Sequence, residues 1–246
     1  MTEPLSRPTA TPLEPPSEPV SGASVVSTRV WDLPTRLFHW ALAVCVLGSV
    51  VSAKIGGNAM VWHLRFGLAV LALLAFRVVW GFVGGHWSRF ASFLFSPFTL
   101  LRYLRGKPRP GEVLDAGHSP TGALSVFALL GLLALQVGTG LVADDEIATT
   151  GPLVRFVDSA TSLDATAWHK GYGQWIILGL IGLHLAAIAW SVAKSRGLLA
   201  AMIHGDKTLP PGQPAARDGV SQRVLALVLL ALALALAFWV SRLAVF

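Results

Sequence analysis

Residues 167–190 read AWHKGYGQWIILGLIGLHLAAIAW, a stretch that is apolar enough to cross a bilayer and nevertheless carries two histidines. A membrane-spanning helix needs about 20 mostly apolar residues. In a continuous α-helix, His169 and His184 lie roughly 22 Å apart along the axis and only about 60° apart around it. The stretch therefore predicts one transmembrane helix that presents two imidazoles to the same side at two depths.

The composition of the whole chain is that of a membrane protein. Of its 246 residues, 54% are hydrophobic and 13% are charged, and the mean hydropathy is +0.63. This balance disfavours a soluble protein. Five stretches are long and apolar enough to span a bilayer. They cover residues 37–53, 61–83, 121–142, 168–193 and 224–240. The sequence predicts an all-α integral membrane protein with five transmembrane helices, the fifth of them C-terminal.

Two segments outside these spans have the composition of unstructured chain. Residues 1–29 are rich in Pro, Ser, Thr and Glu and contain no apolar signal-peptide segment, so we expect a disordered N-terminal tail. Residues 208–222 have a similar composition and are expected to form a linker. The expected organisation is thus this tail, a four-helix domain over 30–207, the linker, and the fifth helix within 223–246.

Charged residues predict the orientation of the chain. The segments between spans 2 and 3 and between spans 4 and 5 are rich in Lys and Arg, whereas the segment between spans 3 and 4 is acidic. Since short cytoplasmic loops retain Lys and Arg, we expect a cytoplasmic N-terminus, a periplasmic C-terminus and a location in the bacterial inner membrane. The net charge of +6 follows from this topology and does not require nucleic-acid binding. The basic residues are Arg89, Arg102, Arg105, Lys107, Arg109, Lys194, Arg196, Lys207, Arg217 and Arg223; the acidic ones are Asp144, Asp145, Glu146, Asp158 and Asp164.

Four of the seven histidines fall within the spans. With the predicted topology, His63 and His169 lie toward the periplasm, and His39 and His184 lie toward the cytoplasm. His39 reaches the depth of His184 if the first helix begins near Asp32 or Pro34, whose residue types favour helix N-termini. Two histidine pairs at two depths, on facing helices, are what two bis-imidazole haems b require. The alternative for each histidine is an interhelical hydrogen bond.

Three basic residues are candidate partners of haem propionates. Arg77 lies at about the depth of His39 and His184, here called the inner pair. The alternative is that its side chain extends to the cytoplasmic interface of the membrane. Arg36 lies one turn before His39, and Lys170 adjoins His169. The remaining histidines, among them His118, are expected to be solvated loop residues, with contact between His118 and a quinone headgroup as the alternative.

Cysteine content limits the cofactor chemistry. The chain has one cysteine, Cys45, within the first span. It therefore cannot form a disulfide within this chain or a metal cluster that needs several thiolates. The sequence also has no C-x-x-C-H motif, which excludes a haem attached through thioethers.

Several motifs together resemble one known family. They are VWDLPTRLFHW (30–40), WHLRFG (62–67), FRVVWGFVG (76–84), GHSPTGALS (117–125), QVGTGLVADDE (136–146), MIHGDK (202–207) and the paired histidines of span 4. With them, residues 30–207 resemble the bacterial cytochrome b561 and Ni/Fe-hydrogenase b-type cytochrome family. The resemblance implies a four-helix core with two non-covalent haems b, whose iron ligands are paired as His39 with His184 and His63 with His169. The N-terminal tail and the fifth helix lie outside this resemblance.

The resemblance also implies a function. Members of the family transfer electrons between the quinone pool and a periplasmic partner, which is a c-type cytochrome or a hydrogenase or dehydrogenase subunit. A stand-alone superoxide:ubiquinone oxidoreductase is the alternative, and the chain is an enzyme only if quinol or superoxide is oxidised on it. A histidine-lined metal or proton transporter is the alternative from another class. The sequence has no inverted repeat and no carboxylate within the spans as drawn, which disfavours a transporter.

Overall fold

The computed structural model describes residues 25–244 of the chain. Within this range the fold is mostly helical, with two short strands. The helices are α1 (Leu33–Ile55), α2 (Met60–Val83), α3 (Pro97–Leu104), α4 (Pro120–Leu141), α5 (Ser159–Lys170), α6 (Tyr172–Ala193), α7 (Leu198–His204) and α8 (Val220–Ser241); the strands are β1 (Val26–Arg29) and β2 (Asp206–Leu209).

Five helical segments are long and apolar enough to cross a membrane, as the sequence predicts. They are Leu33–Ile55, Gly57–Val83, Pro120–Leu141, Ser159–Ala193 and Val220–Ser241. Polar side chains mark several of the starts. The carboxylate of Asp32 accepts a hydrogen bond from the backbone N–H of Thr35 at 2.8 Å, and Pro34 occupies the first turn of α1. Helix α1 therefore begins where the depth match between His39 and His184 requires.

The fourth span is not the continuous helix that the sequence predicted. It is divided at Gly171, whose φ of −98° and ψ of −111° lie outside the helical region. A side chain at this position is excluded by the backbone, because an added Cβ would lie 2.6 Å from the carbonyl oxygen of Ala167. His169 therefore ends α5 and His184 lies on α6, so the geometry calculated for one continuous helix does not apply.

The predicted tail and the predicted linker each contain residues that form a strand. Residues 1–24 of the predicted tail lie outside the described residues, but Val26–Arg29 form strand β1. This strand pairs antiparallel with β2 at Asp206–Leu209, which includes the start of the predicted linker. Ion pairs between Arg29 and Asp206 and between Arg29 and Asp218 add to this pairing. The sequence pattern missed it because the two strands are short and far apart in the chain.

Helix α2 lies at the centre of the bundle. One side of α2 packs against α1, and another packs against α4 and α6 through Val70 and Leu74. A third side, with Ala72 and Phe76, packs against α8. Large apolar side chains elsewhere on the spanning helices are exposed, as they are on helices that contact lipid acyl chains. This arrangement brings α1, α2, α5 and α6, which carry the four intramembrane histidines, around one interior.

Candidate functional site

The structure brings the four intramembrane histidines together in two pairs. The outer pair is His63 with His169, whose ring centroids lie 5.9 Å apart. The inner pair is His39 with His184, whose ring centroids lie 6.4 Å apart. Each pair joins residues from two different spans, and the partners are those expected from their depths.

The spacing within each pair fits one metal ion between two imidazoles. With metal–nitrogen bonds of about 2 Å and ring nitrogens about 1.1 Å from the ring centre, imidazoles on opposite sides of one ion have centroids about 6 Å apart. Two imidazoles are too few for a typical zinc site, which takes four ligands. Two axial nitrogens are, in contrast, what a porphyrin-bound iron needs. In residues 25–244, no group of three or more His, Cys, Asp and Glu side chains is arranged to hold a bare metal ion.

Both histidines of the outer pair are oriented by backbone carbonyls. Nδ1 of His63 lies 2.9 Å from the carbonyl oxygen of Ser49, and Nδ1 of His169 lies 2.8 Å from that of Gln136. Since a carbonyl oxygen can only accept, each Nδ1 must carry the proton in these contacts. Each Nε2 is then unprotonated and available to bind a metal. The side chains of Ser49 and Thr139 lie 3.1 and 3.4 Å from the same two Nδ1 atoms.

A largely apolar cavity of about 240 Å³ adjoins the outer pair and is called here the outer cavity. Small residues line part of it. At Gly67 an added Cβ would meet no described atom within 4 Å, so this glycine leaves open space beside His63. At Gly140 an added Cβ would lie 2.8 Å from Cε1 of His169. Gly140 is thus a site residue that the sequence did not reveal, because its only signal is a contact with a ring on another helix.

Buried nitrogens without hydrogen-bond partners lie around the inner pair. Four nitrogen atoms here are buried and have no hydrogen-bond partner among the described residues. The most buried of the four side chains is that of Arg77, which is 3% exposed and lies over the ring of Phe90 at 4.7 Å. A buried donor without an acceptor is costly, so these nitrogens favour a ligand that accepts hydrogen bonds at this place. The atoms are Nε of Arg36, Nδ1 of His39, Nη1 of Arg77 and Nδ1 of His118.

His118 is not the solvated loop residue that the sequence favoured. His118 lies just before the start of α4, and its ring packs between those of Trp31 and Phe93. The ring centroids are 4.6 Å and 4.3 Å away, respectively. Burial, together with the nearby positive charge of Arg77 and the proximity of His39, lowers the pKa of His118 to about 3. The neutral imidazole therefore lies at the inner site. The contacts come from segments far apart in sequence, and the GHSP motif alone did not reveal them.

The other two basic candidates differ in their relation to the site. Arg36 is partly buried, and its Nη1 donates a hydrogen bond to the carbonyl oxygen of Ile203 at 2.5 Å. Lys170 is exposed at the end of α5 beside His169. The structure thus brings Arg36 and Arg77 to the inner pair, whereas Lys170 lies at the surface.

Asp32 joins the start of α1 to the end of α2 below the inner pair. Its side chain is fully buried and accepts hydrogen bonds from the hydroxyl of Ser88 at 2.7 Å and from the N–H of Gly85 at 3.2 Å. The indole N–H of Trp80 lies 3.4 Å from the same carboxylate. The sequence identified Asp32 only as a helix cap. The structure shows that it also holds the α2 end that carries Arg77 against α1.

The acidic segment between α4 and α5 forms an ordered turn beside the outer pair. The carboxylate of Asp145 accepts hydrogen bonds from the backbone N–H groups of Thr149, Ala148 and Ile147 at 2.8 to 3.0 Å. The bonds from Thr149 and Ala148 lower the pKa of Asp145 to about 2. The turn therefore keeps its negative charge at neutral pH and exposes Ile147 at its tip.

Comparisons with known proteins agree on one family. Residues 30–205 match the family described as prokaryotic cytochrome b561. The chain is 27% identical to a probable Ni/Fe-hydrogenase B-type cytochrome subunit of Cupriavidus necator, over 76% of this chain and 90% of that protein. It is 22% identical to a probable Ni/Fe-hydrogenase 1 B-type cytochrome subunit of Escherichia coli K12, over 74% of this chain and 91% of that protein. No solved structure matches the chain.

Proposed function

Because the chain belongs to the prokaryotic cytochrome b561 family, as its motifs predicted, we propose that it binds two haems b and carries electrons across the membrane between them. Membership of this family makes the chain a multi-pass b-type cytochrome that takes part in electron transfer. The number of haems is the proposal. The observation that carries it is the presence of two facing histidine pairs, at 5.9 and 6.4 Å, at opposite depths of one helical bundle.

The iron ligands in this proposal are His63 and His169 at the outer site and His39 and His184 at the inner site. Haem supplies the one-electron chemistry when bound. At the outer site, the hydrogen bonds from Nδ1 of both histidines to backbone carbonyls orient their Nε2 atoms. At the inner site, the guanidinium groups of Arg77 and Arg36 balance the charge of the propionates. At the outer site, Lys170, which is exposed beside His169, is the candidate for this role.

The unpaired donors support the assignment of Arg77 and Arg36. Propionate oxygens accept hydrogen bonds and carry negative charge. They would therefore supply the acceptor that the buried guanidinium nitrogens lack. Nδ1 of His118 is a further buried nitrogen without a partner near the inner pair. Neither arginine forms an ion pair with an acidic side chain in the part of the chain that the structure describes. An anionic ligand is therefore the partner that satisfies this cluster.

The redox partners are proposed from the relatives and from charge. Both relatives named above are called hydrogenase subunits, so we propose a redox enzyme such as a hydrogenase as one partner and a quinone in the bilayer as the other. The distribution of Lys and Arg supports a cytoplasmic N-terminus and periplasmic C-terminus in the inner membrane. The acidic turn around Asp145 then faces the periplasm, where it favours a partner with a basic surface, including a c-type cytochrome.

A difference spectrum of the purified protein tests the proposed cofactors. The full chain is purified in detergent after expression with ample haem supply, and spectra are recorded before and after dithionite reduction. Pyridine haemochrome analysis then counts the haem per chain. We expect two low-spin haems b. One haem per chain would refute the di-haem proposal, and no haem would direct attention to proton or metal transport through the histidines.

A further inference from the structure

Helix α8 lies outside the matched family region but packs closely on its core. The family match ends at residue 205, and α8 begins at Val220. Three alanines of α8 are buried against α2 and α1, next to Phe76 and Phe38. They are Ala226, Ala233 and Ala237. Large side chains on the other faces of α8, such as Phe238 and Leu227, are 66% exposed. Helix α8 therefore separates one side of α2 from the surrounding lipid.

Hydrogen bonds fix the position of α8 along the bundle. Asp218 precedes the helix by two residues, and its side chain is only 9% exposed. This carboxylate accepts hydrogen bonds from the backbone N–H of Leu33 at 3.2 Å and from the guanidinium groups of Arg29 and Arg223. The start of α8 is thereby tied to the start of α1. A helix tied at its first turn and packed through its alanines also has a defined position at its last turn.

The C-terminal end of α8 and the residues just after it reach the outer cavity. Helix α8 runs antiparallel to α2, so it ends near the beginning of α2, where His63 lies. Ser241 and Ala244 line the outer cavity together with His63 and His169. The hydroxyl of Ser241 donates a hydrogen bond to the carbonyl oxygen of Phe238 at 2.7 Å. Because this hydroxyl proton is already bonded within α8, Ser241 has no free donor to offer to the cavity. The surface that Ser241 and Ala244 present there is therefore mainly apolar.

We infer that residues 241–244, which are the last residue of α8 and the three that follow it, form a wall of the outer haem site that the four-helix core does not supply. The wall keeps water and lipid chains out of the outer cavity and so helps to set the affinity for the outer haem and its potential. Among the described residues, His39 and His184 do not line the outer cavity, so we expect the inner site to be unaffected by this wall. The inference rests on the proposed binding of haem by His63 and His169.

A bulky substitution in the wall tests this inference. Ser241→Trp places an indole at the cavity, whereas Ala235→Trp places one on the exposed, opposite side of the same helix. For Ser241→Trp we expect haem per chain to fall from two toward one, with the inner haem retained. For Ala235→Trp we expect two haems. Two haems with unchanged potentials in Ser241→Trp would overturn the inference.

A short truncation provides a second test that preserves the packing of α8. A chain that ends at Val240 keeps the buried alanines but lacks the wall. Water then reaches the outer haem and stabilises its more highly charged ferric form, so we expect one of the two midpoint potentials to fall and the other to stay unchanged. The full-length Arg242→Gln variant measures the separate effect of losing that charge. Equal potentials in the truncated and full-length chains would overturn the inference.

The wild-type haem count separates the two proposals. If the full-length protein binds no haem, the proposed function and the haem-site wall are both refuted. If the full-length protein binds two haems and both the Ser241→Trp and truncated chains behave like it, the wall alone is refuted.

Discussion

The two histidine pairs are alike in spacing and differ in what surrounds them. In the outer pair, Nδ1 of both His63 and His169 lies within hydrogen-bond distance of a backbone carbonyl. In the inner pair, Nδ1 of His39 has no partner among the described residues, and the unpaired nitrogens of Arg77 and His118 lie nearby. Backbone carbonyls thus orient the outer imidazoles, whereas guanidinium nitrogens without an acceptor lie near the inner pair.

This difference indicates two ways of building a site for the same cofactor. Hydrogen bonds to the nitrogen that does not bind metal fix the rotation and tautomer of a ligand histidine. Buried cationic donors instead gain their partners when an anionic group arrives. We therefore expect the outer site to be sensitive to changes near its histidines, and the inner site to be sensitive to changes of charge.

Removal of one histidine from each pair has the largest expected effect. His184→Ala should abolish binding of the inner haem and leave the outer haem, and His63→Ala should do the reverse, because one axial ligand is lost in each case. Haem per chain and redox titration of each variant measure the outcome. Two full haems in either variant would refute the ligand assignment and remove the basis of the comparison.

Gly140→Ala should weaken the outer site next most strongly. The added Cβ would lie 2.8 Å from Cε1 of His169, so the imidazole must move from its hydrogen bond with Gln136. Overpacking of this kind costs about 1–3 kcal/mol. Outer haem occupancy and the thermal midpoint should both fall. Gly138→Ala is the matched control on the same helix, since its Cβ would meet no described atom within 4 Å. An equal loss in both variants would contradict the proposed contact.

Arg77→Gln should act on the inner site alone. Loss of the positive charge near the propionates favours ferric haem, so the inner midpoint potential should fall by about 50 mV, equivalent to ~1 kcal/mol for one electron. A redox titration monitored by absorbance measures the shift. Arg65→Gln is the control because Arg65 is exposed. A shift of the outer potential with no change of the inner one would contradict the charge-based description of the inner site.

Ser49→Ala should have the smallest effect of the four. The hydroxyl of Ser49 lies 3.1 Å from Nδ1 of His63, but the carbonyl oxygen of the same residue lies 2.9 Å away and remains. The cost should therefore be about 0.5 kcal/mol, at the low end for a hydrogen bond. Thermal unfolding and outer haem occupancy are the measurements. Complete loss of the outer haem would show that the backbone carbonyl does not orient His63.

Much of the architecture was predictable because it depends on local properties of the chain. The five spans follow from runs of apolar residues, and the start of α1 follows from Asp32 and Pro34. The pairing of histidines followed from their depths, which the boundaries of the spans define. Three features depended on contacts between remote segments and could not be read from the pattern. They are the burial of His118, the contact of Gly140 with His169, and the pairing of β1 with β2.

The break of the fourth span at Gly171 could not be predicted from hydropathy. Hydropathy predicted one helix, because the residues on both sides of this glycine are helix-compatible. The interruption depends on a backbone conformation that glycine permits and does not require.

The sequence by itself determined the membrane class, the number of apolar spans and the span on which each histidine lies, since these depend on hydropathy along the chain. Only the tertiary structure decided which groups surround each pair. Hydrogen-bond partners, unpaired donors and the wall formed by α8 arise where different helices meet, and their geometry depends on packing between residues that are distant in the chain.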